Sequence, residues 1–289
     1  MHDPDISRLR WDDVRIFLAT MRATSLREAS EELGVSRPTV GRRIDALEQR
    51  LRVRLFERRS DGLHATPEAV QLQQRASEVE RSMLALARAA HAADSQIAGP
   101  VRVTLPDAVA SELLMPDFAA FAEKWPQIEL FFLPNYGISS LADGAADVAI
   151  RFMPHGVAPQ ADLAGRLAAT AYVAAYGSGD RWIGQRGPTK DTAFFERTSF
   201  SDLPIWGAMP NAGMQRAAAI AGMGRVLLPC FYAEPTLERQ SEPMPGFDIW
   251  VLVHPDLRRT PRLRVFRDAV VEALRRKRPR LEGRHDAGI

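Results

Sequence analysis

Residues Ser36–Leu51 read SRPTVGRRIDALEQRL, and the reading of the whole chain turns on this stretch. Ser36 is a good N-cap, and Pro38 suits a helix's first turn, where its missing N–H has no partner to lose. No later proline interrupts the run, so the pattern predicts a helix over about 37 to 50. Val40, Ile44, Leu47 and Leu51 recur at helical spacing and form one apolar stripe. At about 100° per residue, Pro38, Thr39, Arg42, Ala46 and Gln49 project from the other side. That face is narrow and cationic. It suits a DNA major groove about 12 Å wide, where arginine bonds guanine O6 and N7 and threonine meets base edges. An ordinary amphipathic surface helix has the same pattern, so the neighbouring segments must decide.

Upstream, Asp12 and Asp13 open a helix with Val14, Phe17, Leu18 and Met21 on one side, the acids lying near the positive end of its dipole. Ser25-Leu26-Arg27-Glu28 is a capping box, and Leu26, Ala29 and Leu33 form the buried side of a short helix ending at Gly34. Gly34-Val35-Ser36 turns into the quoted helix. Helix, three-residue turn and helix make a helix-turn-helix unit with the second helix as reader. Downstream, Leu55 and Phe56 can close a small core, and Asp61-Gly62 signals a hairpin between short extended segments, a wing. Arg58 and Arg59 lie at its edge, where arginines meet phosphates or a minor groove.

From Arg37 to Arg59 there are eight arginines and three acids, a net of +5. That is the basic patch of a phosphate-binding surface. Over all 289 residues the net charge is only +2, so the signal is local. At 46% hydrophobic, the chain can bury a sizeable core in two or three domains. A single cysteine, Cys230, excludes an intrachain disulfide and fits a reducing compartment. The N-terminus lacks a secretory pattern and no 18-residue apolar run occurs, so a cytoplasmic protein with no membrane partner is expected.

Thr66-Pro67 starts another helix. Along it, Ala69, Leu72, Ala76, Val79, Met83, Leu86, Ala90, Ala93 and Ile97 recur by threes and fours. This reads as a coiled-coil seam awaiting a partner helix, with packing on the protein's own body as the alternative. A seam gives a homodimer presenting two readers to a two-fold site. Gly99-Pro100 is expected to end the helix. Beyond it, apolar runs at 101–105, 128–133, 147–151, 171–176, 225–229 and 249–253 alternate with helical patterns. Leu113, Phe118 and Phe121 mark one helix, Met214 to Gly222 another, and Thr260-Pro261 opens a third that buries Leu263, Phe266, Val270 and Leu274. This texture predicts an α/β sheet covered on both faces. The basic tail from Arg275 onward is expected to be disordered.

With these segments in place, the chain resembles the LysR-type transcriptional regulators over essentially its whole length. The resemblance rests on Ser25-Leu26, Ala29, Leu33, Ser36, Pro38, Val40, Arg42, Ile44, Leu47-Glu48, Leu55-Phe56-Glu57-Arg58 and Thr66-Pro67. Further on, Gly99 to Thr104, Pro116, Phe121, Pro126, Asp147 to Arg151, Gly222, Gly224 and Leu228-Pro229 continue it in order. Gly41 stands where the family usually has serine, Arg52 where it has glycine, and Ala65 and Ala69 where it has leucine and glycine.

The resemblance implies an α/β multidomain protein. A winged helix-turn-helix DNA-binding domain (1–65) would lead through a linker and dimerisation helix (66–97) to a bilobed α/β effector domain (98–289) like the periplasmic binding proteins. Lobe one would be 98–165 with 253–289, and lobe two 166–252. It implies a ligand-responsive regulator of transcription acting on promoter DNA, a dimer of dimers, and RNA polymerase as a further partner. The effector would be a small carboxylate or aromatic metabolite between the lobes, and no cofactor, metal or catalytic residue is expected. Ser25, Ser36, Arg37, Pro38, Thr39, Arg42, Arg43, Arg58 and Arg59 form the candidate DNA-contact set, with Thr39 and Arg42 reading bases.

In open α/β sheets, ligands bind off the carboxyl ends of the strands. That rule nominates Thr104, Pro106 and Asp107, then Asn135 and Tyr136, then Arg151 and Phe152, and finally Pro229, Cys230 and Phe231. Asn211, before the helix carrying Met214, could offer an amide and helix N–H groups to an anion. Arg151 is the sharpest candidate, because a guanidinium holds a carboxylate bidentately. Two other functions compete. Cys230 with His254 can be read as a nucleophile and base, although no Gly-rich phosphate loop, serine elbow or His/Cys metal cluster supports an enzyme. An architectural DNA binder with a C-terminal domain that binds no ligand has the same first 97 residues.

Overall fold

The computed structural model describes residues 9–23, 25–59, 62–92, 96–106, 109–134, 141, 144–159, 163–185, 192–234 and 236–284. At 58, 62, 90–92, 109–111, 134, 192 and 193 it describes the backbone alone. The chain divides into two compact units, Met1–Ala87 and Arg88–Ile289.

The first unit contains α1 (Trp11–Arg22), α2 (Leu26–Leu33), α3 (Arg37–Leu51), β1 (Phe56–Arg59), β2 (Gly62–Ala65) and most of α4 (Pro67–Ala92). The expected start and stop signals of α2 operate. The Ser25 hydroxyl accepts the Glu28 N–H at 3.3 Å, and Gly34 ends α2 at φ 66°, which glycine adopts without a Cβ clash. Val40, Ile44 and Leu47 of α3 are buried with Ile16, Phe17, Leu18, Ala29, Leu55 and Phe56 in one core. Each large apolar side chain there contributes roughly 1.5–3 kcal/mol by leaving water. The register pairs Arg59 with Gly62, so Gly62 belongs to β2 and not to the turn. Ser60 and Asp61 lie outside the described residues.

The expected seam of α4 divides along its length. Ala69 is fully buried and Leu72 and Ala76 pack on the first unit's own core. Ile97 lies past the helix end and packs on the second unit's core. Val79, Met83 and Leu86 are exposed. The unbroken partner-helix seam is therefore corrected to a short exposed stretch. Its beginning serves the protein's own body because the helix leaves directly from β2. Ala90 has only its backbone described, and Ala93 lies outside the described residues.

In the second unit, β3 (Gly99–Leu105) is followed by a π-helical turn (Val109–Leu114), α5 (Met115–Lys124), β4 (Ile128–Pro134), β5 (Val148–Pro154), β6 (Ala164–Gly177) and β7 (Trp182–Gln185). Next come α6 (Thr192–Phe195), β8 (Ile205–Met209), α7 (Ala212–Ile220), β9 (Arg225–Pro229), α8 (Cys230–Ala233) and β10 (Met244–Val253). A 3-10 turn (Pro255–Leu257), α9 (Pro261–Arg276) and α10 (Arg278–Leu281) complete it. The strands form one sheet in the order β4-β3-β5-β10-β6-β9-β7-β8. β3 is parallel to β4 and β5, and β7 to β8 and β9. β10 is antiparallel to both neighbours, and β6 is antiparallel to β9.

Several expectations are corrected here. β6 and β10 are far longer than the apolar runs that announced them, because Arg166 and Asp248 interrupt the hydrophobic pattern while their backbones stay paired. β7 and β8 are short and carry no strong signal in the sequence. Gly99 and Pro100 open β3 instead of ending a helix. The tail is ordered through Arg284: Leu281 is fully buried and buried Glu282 pairs with Arg278 at 2.6 Å. One apolar side chain and one satisfied carboxylate suffice to hold this basic segment. No helix among the described residues is long and apolar enough to cross a membrane.

Candidate functional site

Arg37, Pro38, Arg42 and Arg43 stand exposed on α3, while Gly41 is buried beside the stripe. Thr39 is half-buried, and its hydroxyl lies 2.8 Å from that of Ser36. Ser36 thus caps through its backbone, and its side chain fixes the threonine at the start of the cationic face. Arg43 pairs with Asp12 at 3.0 Å and Arg59 with Glu57 at 2.8 Å. The Arg59 hydrogen bond holds the Glu57 carboxyl below the usual range. Among the described residues, no ion pair occupies Arg37 or Arg42. Arg58 lies on β1, but its side chain is outside the described residues.

Glu48, outside the expected DNA-contact set, is a positioning residue. Its Oε1 accepts the N–H groups of Leu55 and Phe56 at 2.7 and 2.9 Å. The carboxylate ties the reader helix to the first strand of the wing, so the two cannot turn independently. An acid eight positions before a strand gives little sign of such a bond in sequence.

In the second unit the strand registers locate a meeting point. Pro154 at the end of β5 lies beside Phe247, which pairs Ala171. Pro229 at the end of β9 lies beside Val173. The carboxyl ends of strands from the two halves of the sheet therefore point toward each other, offset by two positions of β6, roughly 7 Å along the strand direction, with β10 and β6 lying between them. Aromatic rings gather there. Phe152 meets Phe231 edge-on at 6.1 Å and stacks on Phe247 at 6.0 Å, and Phe194 approaches Phe247 at 6.4 Å. Phe247 and Phe194 were not expected: Phe247 reaches this point through the pairing of β10 with β5, and Phe194 comes from the separate short helix α6.

The nominated polar residues divide sharply. Thr104 is fully buried and Arg151 is 2% exposed. The guanidinium donates to the Thr104 carbonyl and hydroxyl at 3.0 and 3.1 Å and to the Ile150 carbonyl at 3.0 Å. Burial pushes it down to about 10. Pro106 is buried and Pro229 half-buried. Asn211 spends its carbonyl on the Met214 N–H at 2.9 Å, as a helix cap. Asp107, Asn135 and Tyr136 lie outside the described residues.

Cys230 is fully buried, and burial pushes its thiol up. Its pairing with His254 is excluded by register. Pro229 sits beside Val173 and Val253 beside Ala164, nine positions apart along β6. At about 3.3 Å per residue this is on the order of 30 Å. His254 instead accepts the Asp256 N–H at 3.3 Å and caps the 3-10 turn. No metal-binding cluster occurs among the described residues.

A family model described as the bacterial regulatory helix-turn-helix protein, lysR family, matches residues 11–70. The chain is 32% identical over 139 residues to the AhcY transcriptional activator HvrB of Rhodobacter capsulatus, covering 48% of this chain and 47% of that protein. It therefore spans about half the length of such curated relatives. A probable hydrogen peroxide-inducible genes activator of Mycobacterium xenopi is 30% identical over 144 residues, with 49% of this chain and 76% of that protein covered. The fold is that of the full-length Vibrio cholerae virulence activator AphB, a member of the LTTR protein family, at TM-score 0.57 and 19% identity, covering 91% of this chain and 99% of that one. A winged helix-turn-helix that meets the family model, together with identity across three quarters of a relative, places this chain in the LysR family of bacterial helix-turn-helix regulators.

Proposed function

We propose that this protein is a sequence-specific DNA-binding regulator of transcription, modulated by a small molecule held between the two halves of its α/β unit. The observation that carries this reading is α3. One of its faces is locked in the core by Val40, Ile44 and Leu47, and the other presents Arg37 and Arg42 to solvent. A rigid helix with exposed guanidiniums can enter a major groove without rearranging. Arg42 and Thr39 read bases. Arg37, Arg43, Arg58 and Arg59 hold phosphates, with Ser25, Ser36 and Pro38 along the approach. The exposed pairs Arg43–Asp12 and Arg59–Glu57 are weak, so exchanging a carboxylate for a phosphate costs little.

Residues 1–65 serve as the DNA-binding head, 66–97 as linker and 98–289 as effector domain, its lobes divided near 165 and 253. The effector is a small carboxylate or aromatic metabolite at the facing ends of β5 and β9, where Phe152, Phe231 and Phe247 offer ring faces. Thr104 and Arg151 support that site from beneath. The exposed face of α4 pairs two chains into a homodimer with two readers, and dimers pair again on promoter DNA beside RNA polymerase, in the cytoplasm.

The test is a mobility shift on the protein's own genomic DNA at graded salt. Binding should fall steeply as salt rises. Arg42→Ala should flatten the preference between operator and mutated operator, while Arg59→Ala weakens both alike. Binding unchanged into several hundred millimolar salt, or undiminished specificity in Arg42→Ala, would overturn the reading.

A further inference from the structure

The start of β6, the end of β10 and the outer side of α9 enclose a cavity of about 170 Å³, lined by none of the residues assigned above to DNA or effector. Its floor is apolar, from Ala164, Gly165, Val251 and Val271, and its walls carry Arg166, Arg258, Arg267 and Asp268. At roughly 30 Å³ per water it has room for five or six waters, or one small anion. Arg166 lies five positions along β6 from Ala171, so roughly 17 Å separates this cavity from the facing ends of β5 and β9.

The charges here do not balance. Arg264 adds its field to that of the three wall arginines. Asp268, the one acid in the lining, is already 3.3 Å from Arg166. Arg267 is the most confined: one terminal nitrogen donates to the Arg258 carbonyl at 3.0 Å. Its Nε is buried with no hydrogen-bond partner among the described residues. Burial holds this guanidinium below its ordinary value despite the pull of Asp268, and Arg166, Arg258 and Arg264 push the same way. Like charges gathered around an unsatisfied donor are unfavourable unless an anion completes them.

We propose that this cavity is an anion site that takes a phosphate group, either as free phosphate or as the phosphate of a small metabolite. Guanidiniums approaching from β6, from the 3-10 turn and from α9 suit the several oxygens of a tetrahedral dianion. A carboxylate would be filled by one of them. The site lies wholly within the second unit and goes beyond the DNA-binding reading.

Thermal unfolding of the full chain, followed by titration calorimetry, tests this with inorganic phosphate, a simple phosphate monoester and chloride at matched ionic strength. Phosphate should raise the unfolding temperature saturably and chloride should not. Arg166→Ala and Arg258→Ala, both at exposed positions, should each weaken phosphate binding at least tenfold, while Arg275→Ala leaves it unchanged. A monoester bound tenfold more tightly than phosphate identifies a metabolite as the source, and equal affinity identifies free phosphate. No shift beyond chloride, or a shift undiminished in Arg258→Ala, overturns the proposal. Neither result involves DNA, so failure here leaves the regulatory reading standing.

Discussion

The Arg151 guanidinium grips Thr104 twice, through the backbone carbonyl at 3.0 Å and the hydroxyl at 3.1 Å, with only 2% of the arginine exposed. Thr104 lies beside Ala149 in the β3–β5 ladder, and Arg151 is two residues further on the same face. The arginine therefore braces the carboxyl ends of two parallel strands. Arg151→Ala should lower the unfolding free energy of the second unit by about 2–4 kcal/mol, since it opens a cavity and leaves buried acceptors bare. Urea unfolding measures this. A variant as stable as the parent would return Arg151 to a purely ligand-binding role.

Arg52 ends α3 at φ 56°, the one non-glycine residue with positive φ among the described residues. Its Cβ meets the crowding that makes this region unfavourable for ordinary side chains. Arg52→Gly should stabilise the first unit by roughly 0.5–1 kcal/mol, seen as a higher denaturation midpoint at unchanged slope. Equal or lower stability would mean that the arginine side chain makes good the strain.

Glu48 carries both amides that begin the wing. Glu48→Ala should cost about 1–3 kcal/mol by leaving buried donors unpaired, and Glu48→Gln, which keeps an acceptor, should cost less. Both should weaken DNA binding with little change in base preference, since the wing moves and α3 does not. Mobility shifts on operator and mutated operator separate the two effects.

Along α4, residues about four turns apart should respond differently. Leu72→Ala removes a contact with the first unit's core and should lower stability at every protein concentration. Leu86→Glu places charge on a side chain that is 66% exposed and should leave monomer stability unchanged. Sedimentation should then show dimer lost in Leu86→Glu and kept in Leu72→Ala. A dimer that survives Leu86→Glu would place the pairing surface elsewhere.

Asp248 gives the second unit a dependence on acid. Burial alone would raise its carboxyl, but the Gly156 N–H at 2.9 Å, His155 at 2.9 Å and the Thr170 hydroxyl at 2.8 Å outweigh burial and hold it below the usual value. Its folded pKa is depressed, so the unfolded chain binds the proton more readily. The stabilisation is complete above the unfolded value of about 3.9 and is lost as pH falls through the folded one. Asp248→Asn should be less stable near neutrality and show a shallower loss below about pH 4. Parallel acid limbs in the two proteins would contradict this linkage.

The first unit was largely legible because its signals are local. Ser25 caps a turn three residues away, Gly34 reverses the chain at itself, and Val40, Ile44 and Leu47 declare the face of α3 within two turns. The second unit was legible only in outline. Phe247 and Asp248 precede the apolar run that announced β10, and nothing near them in sequence says that they face Phe152 and His155. The seam of α4 illustrates the limit: heptad spacing marks an apolar stripe but not which body covers it.

The quoted stretch from Ser36 to Leu51 determined by itself that there is a helix, which face is buried and that arginines stand on the other. Helical periodicity and capping act over three or four residues, within the reach of a local pattern. Only the tertiary structure decided that Glu48 fastens this helix to the wing, and that Arg151 and Cys230 lie inside the packed body. Burial and hydrogen-bond satisfaction depend on which distant segments close over a residue, and for Arg151 that segment is Thr104, 47 positions away.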